Sequence, residues 1–454
     1  MVAHMKPVAL SWTLSDVAHA VGGELFADPT QTIDIVSTDS RSRALSALFV
    51  ALVGDTFDGH DFAQDAFGDG AVAVLVNRDS GIDIVARIEV NSTSDALIAL
   101  GAKRRAEIHV PTVAVTGTSG KTGTKDLLAA GIVGSWASPS SFNNEIGVPL
   151  TVLGTPDDAT ALVLEVGSRG VGHIALLSDV LAPDVSVITN LGVGHMETFG
   201  TPRKLRDAKY EVIDMLPEGG IAVVPVDEPS LRARTGLTTL TFGFESGDVA
   251  PDIAVGNLRV DGNGFARFTL RTPDGAFEIA PQAPGLHQAA NAAAAVGAAL
   301  ACGIPLDTFV PGMEAFTGAA WRMNIHRGTF TVVNDTYNAN PKSVENALRT
   351  VASMDGRHVA VLGAMAELGP LCEQEHEVIG RLVSELGFVK LIVVGPDHGY
   401  GVGFGSGVVN AADIVDAADT LKDIVEAGDV VLVKASRAAS LERLALQLIE
   451  DSGS

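Results

Sequence analysis

Short apolar runs rich in valine, isoleucine and leucine recur along the chain, and stretches with helical patterns separate them. This alternation is typical of βαβ units, in which parallel strands are buried between helices. In the middle of the chain the runs lie at Thr112–Thr116, Ala161–Glu165, Val185–Thr189 and Ile221–Pro225. In the last third they lie at Thr331–Asn334, Val359–Leu362, Leu391–Val394 and Val430–Val433.

The remaining patterns complete an α/β architecture of three domains. In the first part of the chain we predict helices at Leu14–Val21 and Ser94–Glu107 and strands at Ala47–Val53 and Ala71–Val76. Farther along, alternation and turn residues predict a β-meander at Ala250–Ile279, and a helix follows at His287–Cys302. With Pro111 as a boundary, the predicted domains are a small N-terminal α/β domain (1–110), a central parallel-sheet domain (111–322) and a C-terminal Rossmann-like α/β domain (323–454).

Composition narrows the class of protein. The 454 residues are too many for a single hydrophobic core, and the net charge of −24 argues against nucleic acid or an anionic membrane as partner. Cys302 and Cys372 are the two cysteines, and they exclude a disulfide framework or a zinc ribbon. Residues 1–10 lack the apolar segment of a signal peptide, and the alanine-rich stretch 289–302 is too short to span a bilayer. We therefore expect a cytoplasmic protein without membrane insertion, and a monomer.

The most informative segment runs from Val113 to Thr122, where an apolar run stops at the turn Gly117-Thr118-Ser119-Gly120 and Lys121-Thr122 follows. A helix is predicted just after it, at 125–134. Backbone N–H groups at a helix N-terminus bind phosphate oxygens, lysine adds a positive charge, and the threonine hydroxyl can bind Mg²⁺. The full phosphate-loop pattern is not met, because Val115 stands where its first glycine would be. An ordinary glycine-rich turn is the alternative.

Further polar groups follow predicted strands, where ligands of parallel sheets collect. These are Glu165, His195, the segment Asn334–Pro341 and the basic segment Lys434–Arg437, and Lys209 lies on a predicted helix. A carboxylate such as Glu165 can hold Mg²⁺ beside phosphates. Each group alone has an ordinary alternative, such as a solvated side chain or a helix cap.

Taken together, these segments resemble the Mur ligases, the ATP-dependent enzymes of peptidoglycan precursor synthesis, over nearly the whole chain. The run Asp335–Pro341 matches one typical of the members that add D-alanyl-D-alanine to UDP-N-acetylmuramoyl-tripeptide. The other segments that carry the resemblance are Thr38–Arg41, Phe57–Phe62, Thr116–Thr122, Asn143–Pro149, Glu165–Gly167, Gly285–Gln288 with Asn291, Ala366–Gly369 and Lys434–Arg437.

The resemblance implies roles for individual residues and a central ATPase domain. The loop Gly117, Thr118, Ser119, Gly120, Lys121 and Thr122 would bind the phosphates of ATP. Thr122, Glu165, His195 and a carbamylated Lys209 would bind two Mg²⁺ ions, and Lys121, Glu165, His195 and Lys209 would be catalytic. Asn291 would face the adenine, Asp335 the ribose and Arg322 a phosphate, with Asn338 also at the nucleotide. The substrates would be bound by Ser40, Arg41, Asp58, Asn143, Asn144, Lys434, Ser436 and Arg437.

The chain departs from the family pattern at a few positions. Gln288 stands where asparagine is usual, Ala364 where an aspartate is usual and Ala435 where a glycine is usual, and 42–47 lacks the usual Pro-Gly. These changes affect fine contacts more than the reaction.

Three alternatives stay open on the sequence. One is another Mur-type or folylpolyglutamate-type ligase, although the chain lacks the Asp-Asn-Pro-Arg run of the diaminopimelate-adding member. Another is an amidotransferase-associated subunit, but that type carries a four-cysteine zinc site. The last is a nucleotide-binding module without catalysis, which the presence of Lys121, Glu165, His195 and Lys209 disfavours.

Overall fold

The computed structural model describes residues 9–41, 45–192, 196–228 and 236–453. Three separate sheets dominate it, each with its own buried apolar cluster. In the described part of the chain, no helix combines the length and the apolar character needed to cross a membrane.

The first sheet has five strands in the order β2-β7-β6-β5-β4, and β2 alone runs antiparallel to its neighbour. Short strands β1 and β3 pair beside it. The strands are β1 Trp12–Thr13, β2 Glu24–Phe26, β3 Thr32–Ile33, β4 Ile35–Ser37, β5 Ala47–Val50, β6 Ala73–Asn77 and β7 Arg87–Val90; the helices are α1 Leu14–Val21, α2 Ala63–Gly68 and α3 Thr93–Glu107.

The second sheet has nine strands in the order β16-β15-β14-β13-β12-β11-β8-β10-β9. The strands are β8 Thr112–Thr116, β9 Trp136–Ala137, β10 Leu162–Glu165, β11 Val185–Ile188, β12 Ile221–Pro225, β13 Thr238–Phe244, β14 Ile253–Val260, β15 Ala266–Thr272 and β16 Gly275–Ile279. The helices are α4 Lys121–Gly131, α5 Gly147–Leu153, α6 Ser178–Leu181, α7 Met196–Phe199, α8 Pro202–Asp214, α9 Gln288–Ala301 and α10 Leu306–Glu314. Alanine-rich α9 is almost wholly buried, because small side chains let it lie close to the sheet.

The third sheet has six strands in the order β17-β18-β22-β19-β20-β21, with only β17 antiparallel. The strands are β17 Asn324–Arg327, β18 Thr331–Asp335, β19 His358–Gly363, β20 Lys390–Val394, β21 Val408–Ala411 and β22 Val430–Lys434; the helices are α11 Pro341–Ala352, α12 Cys372–Glu385, α13 Tyr400–Phe404, α14 Ile414–Ile424 and α15 Glu442–Ser452.

Two features of the central sheet differ from the sequence expectation. The helix after the glycine-rich turn begins at Lys121 rather than at residue 125, and ends at Gly131 rather than at residue 134. The predicted meander is present as β14, β15 and β16, but it continues the central sheet through β13, a parallel strand that the sequence analysis missed. The earlier helix start matters most, because it aims the free N–H groups of the first turn at the glycine-rich turn itself.

Candidate functional site

The carboxyl ends of the neighbouring parallel strands β8, β10 and β11 form one edge of the central sheet. The glycine-rich turn leaves β8 there, Glu165 ends β10, and Thr189-Asn190 follows β11. The predicted phosphate loop and the predicted metal ligand Glu165 therefore lie together, as expected for ligand sites in parallel sheets.

The backbone of the phosphate loop, Gly117–Thr122, requires its glycines. Gly117 and Gly120 have φ angles of 147° and 80°, which favour glycine. A Cβ atom on Gly117 would lie 2.0 Å from Thr189 Oγ1. The loop therefore allows neighbouring groups to approach its backbone closely.

Asn190 holds this loop from the side. The N–H groups of Thr118 and Ser119 donate to its backbone carbonyl (3.0 Å) and to its Oδ1 (3.2 Å), and its Nδ2 donates to the Ser119 carbonyl (2.8 Å). The sequence analysis assigned Asn190 no role. Its position directly after a buried strand is a signal that could have indicated one.

Asn291 approaches the loop from α9 and is 6% exposed. Two glycines of the loop and its helix make room for it. A Cβ on Gly120 would lie 2.6 Å from Asn291 Oδ1, and one on Gly123 would lie 2.5 Å from its Nδ2. The amide predicted to face adenine thus lies directly against the phosphate loop.

Lys121, which is partly buried, lies near the buried Glu165 carboxylate. Lys121 Nζ donates to the Gly117 carbonyl at 2.9 Å. Burial lowers the pKa of Lys121, the Glu165 carboxylate opposes this shift, and Arg322 adds to it. A lysine that already contacts its own loop is well placed to meet a bound phosphate.

Glu165 is 1% exposed and its two oxygens differ. Oε1 accepts from Asn143 Nδ2 at 2.8 Å, whereas Oε2 is buried without a hydrogen-bond partner in the described part of the chain. An orphaned carboxylate oxygen is costly unless a ligand satisfies it. The donor set, with the Thr122 hydroxyl in the first turn of α4, therefore fits Mg²⁺, which takes oxygen ligands from carboxylates and substrate phosphates. Within the described ranges no group of three His, Cys, Asp or Glu residues forms a metal site by itself.

Lys209 is 1% exposed, so the interpretation of it as a solvated helix lysine is wrong. Its Nζ donates to Ser168 Oγ at 2.9 Å. Burial lowers the pKa of Lys209 well below the ordinary lysine value, the charge of Lys121 adds to this, and Glu211 opposes it. His195, predicted to share a metal ion with Lys209, lies outside the described residues.

Arg322 joins the third sheet to the phosphate loop. Its Nη2 donates to Thr122 Oγ1 at 3.0 Å and to Ser141 Oγ at 3.4 Å, and its guanidinium lies 4.0 Å over the ring of Tyr337. The residue predicted to meet a phosphate is thus already at the loop.

Asp335 and Lys434 form a buried ion pair at the ends of β18 and β22, with Lys434 Nζ 2.7 Å from Asp335 Oδ2. Lys434 also donates to the Asn338 carbonyl at 2.8 Å. Burial lowers the pKa of nearby His287 to about 4; Lys434 and Arg322 add to the shift, and Asp335 opposes it. One cluster therefore contains Asp335 and Asn338, which were predicted to bind the nucleotide, and Lys434, which was predicted to bind a substrate. His287 and Arg322 lie near enough to interact with its charges.

Ser436 and Arg437 follow Lys434 but are placed differently. Ser436 is buried, and its N–H donates to the carbonyl of Ala364 at 3.2 Å. Arg437 is half-exposed, with its guanidinium 4.5 Å over the ring of Trp321. Arg437 is the member of this segment that solvent or a ligand can reach.

Asn143 and Asn144 have distinct local roles. Asn143 binds Glu165, as above, and its carbonyl accepts from the Gly167 N–H at 2.7 Å. Asn144 Oδ1 accepts from the N–H of Gly147, the first residue of α5, at 2.8 Å. Only Asn143 contacts a residue predicted to be catalytic.

Ser40, Arg41 and Asp58 belong to the N-terminal sheet, in the loops that follow β4 and β5. The Arg41 guanidinium, largely exposed, is held by Asp39 at 2.8 and 2.9 Å. Asp58 accepts from His60 Nδ1 at 2.6 Å, and the Asn77 N–H donates to His60 Nε2 at 2.9 Å. These residues lie on the N-terminal sheet, whereas the phosphate loop leaves the central sheet.

Comparison with known proteins gives consistent matches. The Mur ligase family catalytic domain matches residues 32–114, the Mur ligase middle domain 115–299, and the Mur ligase glutamate ligase domain 321–437. A UDP-N-acetylmuramoyl-tripeptide–D-alanyl-D-alanine ligase of Escherichia coli (strain K12) is 33% identical, and the match covers 97% of this chain and 99% of the relative.

Solved structures agree with these matches. A crystal structure of MurF from Acinetobacter baumannii aligns with a TM-score of 0.89 at 29% identity, covering 98% of this chain and 99% of the other. MurF ligase from Thermotoga maritima in complex with ADP aligns with a TM-score of 0.82 at 29% identity, covering 92% and 97%.

Proposed function

Because the chain belongs to the Mur ligase family, we propose that it uses ATP to join D-alanyl-D-alanine to UDP-N-acetylmuramoyl-tripeptide, and that its three domains divide this work. It is an ATP-dependent ligase that forms an amide bond in peptidoglycan precursor synthesis. The observation that carries the site assignment is the grouping of the phosphate loop, buried Glu165 with its orphaned oxygen, and Arg322.

The proposed division follows the three sheets. Residues 1–110 bind the UDP-sugar end through Ser40, Arg41 and Asp58. Residues 111–322 bind ATP, and residues 323–454 bind the dipeptide and close over the nucleotide. Arg437 is the exposed cation suited to the dipeptide carboxylate. Lys434 is already ion-paired with Asp335, so its role at the dipeptide is indirect and depends on that ion pair.

The reaction is a phosphoryl transfer followed by amide formation. The terminal carboxylate of the tripeptide attacks the γ-phosphate of ATP, giving an acyl phosphate and ADP. The amine of D-alanyl-D-alanine then attacks the acyl carbon, and phosphate leaves from the tetrahedral intermediate. Lys121 and the N–H groups of the phosphate loop stabilise the negative charge on the transferred phosphoryl group. Closure of the domains excludes water, which would otherwise hydrolyse the acyl phosphate.

Two Mg²⁺ ions would neutralise phosphate and acyl phosphate charge. Thr122 and Glu165 would hold the first ion, and His195 with Lys209 the second. Arg322 donates a hydrogen bond to the Thr122 hydroxyl oxygen, so it must share or release that oxygen when a metal binds.

Lys209 needs modification to take this role, because an ammonium repels a metal ion. A neutral lysine amine attacks CO₂, forming an N–C bond and releasing one proton, and the product is a carbamate with two acceptor oxygens. The lowered pKa of Lys209 supports this step, since it makes the neutral amine more available than in a solvent-exposed lysine.

We propose that the protein acts as a monomer. The use of ATP and the free thiols of Cys302 and Cys372 support a cytoplasmic setting.

The deciding experiment offers the muramoyl tripeptide, ATP and D-alanyl-D-alanine, and identifies the product by mass spectrometry. We expect a pentapeptide product and one ADP per bond formed. Parallel reactions replace the dipeptide with L-alanyl-L-alanine, glutamate or diaminopimelate. Product formed only with glutamate or diaminopimelate would contradict the proposal, and ATP binding with neither turnover nor ligation would indicate a nucleotide-binding module.

A further inference from the structure

Lys125 is a buried lysine that none of the roles above uses. It lies one turn after Lys121 on α4 and is 2% exposed. Its Nζ donates to the carbonyls of Ser138 (2.8 Å) and Ser140 (3.0 Å), and lies 2.7 Å from Asp126 Oδ1. The three donors of the ammonium thus have three acceptors, a full set for so deeply buried a charge.

The two carbonyls belong to the segment 138–143, which we call the support segment. Ser140 within it has a φ of 49°, a left-handed conformation that costs a residue other than glycine about 1–2 kcal/mol. A strained turn of this kind persists only when its surroundings hold it. Lys125 binds the carbonyl just before the turn, at Ser138, and the carbonyl of Ser140 itself.

The support segment is also the scaffold of Glu165. The Glu165 N–H donates to Ser138 Oγ at 3.0 Å, and Asn143 Nδ2 donates to Glu165 Oε1 at 2.8 Å. In addition, Ser141 Oγ accepts from Arg322 at 3.4 Å. Lys125 therefore joins the helix that carries Lys121 and Thr122 to the segment that orients Glu165.

We propose that Lys125, neutralised by Asp126, is a positioning residue that sets the Glu165 carboxylate relative to the Thr122 hydroxyl and so tunes the affinity for Mg²⁺ with nucleotide. This inference rests on the proposed function, since it takes Glu165 and Thr122 as the ligands of the first ion. Groups that orient metal ligands from behind commonly change metal affinity by roughly 10–100-fold when they are removed.

The test is Lys125→Met, which keeps an unbranched side chain one atom shorter than lysine and removes its donors. The control is Arg104→Met. Arg104 is equally a buried cation, bound to the Thr155 carbonyl (2.7 Å) and to Asp157 (2.6 Å), but it lies on α3 away from the phosphate loop. Both variants lose stability, so melting temperature alone does not separate the two roles.

The separating measurement is the calorimetric affinity for ADP with and without Mg²⁺, together with the Mg²⁺ concentration that half-saturates activity. For Lys125→Met we expect ADP binding without metal to stay within about twofold, while the gain in affinity from Mg²⁺ falls by roughly tenfold or more. The half-saturating Mg²⁺ concentration should rise by a similar factor. Arg104→Met should leave both Mg²⁺ measurements unchanged.

Glu165→Gln in the same assays tests the premise that Glu165 binds the first Mg²⁺ ion, separately from the positioning role of Lys125. If Glu165→Gln leaves the Mg²⁺ measurements unchanged, the proposed metal site is wrong, and the Lys125 inference falls with it. If Glu165→Gln shifts them and Lys125→Met does not, the positioning role alone is overturned. Should Lys125→Met fail to fold, Lys125→Gln retains a donor for one carbonyl and should shift both measurements in the same direction by less. Wild-type Mg²⁺ dependence in that variant would equally overturn the role.

Discussion

The close approach of Asn291 to the phosphate loop can be tested by alanine substitution of three glycines. They differ in whether the backbone is left-handed and in whether a Cβ atom would meet Asn291. Gly22 has a φ of 60° and open space around its missing Cβ. Gly123 lies inside α4 without a left-handed φ, but a Cβ there would meet Asn291 Nδ2 at 2.5 Å. Gly120 combines a φ of 80° with a contact at 2.6 Å to Asn291 Oδ1. Alanine at Gly22 therefore tests the effect of the left-handed backbone alone, and alanine at Gly123 tests the contact with Asn291 alone. Alanine at Gly120 tests both effects together.

The expected magnitudes follow from these differences. Gly22→Ala should cost about 1–2 kcal/mol of stability from the left-handed backbone and leave ATP binding unchanged. Gly123→Ala would gain about 1 kcal/mol from helix propensity if nothing stood in the way, so any loss of stability comes from the contact. Displacing Asn291 should remove a hydrogen bond to adenine worth about 0.5–1.5 kcal/mol, which weakens nucleotide binding roughly two- to tenfold. Gly120→Ala should show both defects.

Melting temperatures and calorimetric titration with ATP and Mg²⁺ give the two readouts. Adding Asn291→Ala removes the atoms that the new Cβ meets, so Gly123→Ala should then raise the melting temperature relative to Asn291→Ala alone. A Gly123→Ala variant that is more stable than the wild type and binds ATP normally would refute the assignment of Asn291 to this position.

Three further predictions concern other parts of the site. Lys121→Ala should slow ligation by about 10²–10³-fold with an unchanged circular dichroism spectrum, and near-normal turnover would exclude its role at the phosphates. Arg41→Ala should raise the KM for the UDP-muramoyl tripeptide and leave the KM for ATP unchanged in steady-state kinetics; an effect on ATP alone would contradict the division between domains. Lys209→Ala should be inactive and partly restored by acetate or formate. Because the pKa of Lys209 is lowered in the folded state, the unfolded chain binds more protons, so in CO₂-free buffer the wild type should gain stability relative to Lys209→Met as the pH rises toward 10.5. A difference that is constant with pH would contradict the burial of a neutral amine.

Local patterns were sufficient for the features that one stretch of sequence encodes. The strand, glycine turn and lysine around Lys121 are contiguous, so the phosphate loop could be predicted with its place in the fold. The meander could be predicted for the same reason, from alternation and turn residues within a single segment. Its attachment through β13 could not, because a short parallel strand is recognised by its neighbours more than by its own sequence.

The hydrogen-bond partners of Asn190 and the burial of Lys125 and Lys209 could not be read from the sequence. Each depends on partners elsewhere in the chain: Asn190 meets Ser119 from 71 residues away, Lys209 meets Ser168 from 41, and Lys125 meets Ser138 from 13. A polar side chain on a helix or after a strand has the same local pattern whether it faces solvent or a buried acceptor. Only the packing of α4, α8 and the loop after β11 decides between these outcomes.

The contact between Arg322 and Thr122 also bears on how the protein is made. The two residues are 200 positions apart, and Asn291 completes the loop from nearly as far. During synthesis at about 5–20 residues per second, the phosphate loop therefore leaves the ribosome roughly 10–40 s before Arg322 does. A nascent chain in that interval presents a glycine-rich turn without its partners. In the proposed function, ATP therefore meets its full set of protein contacts only after Arg322 has emerged.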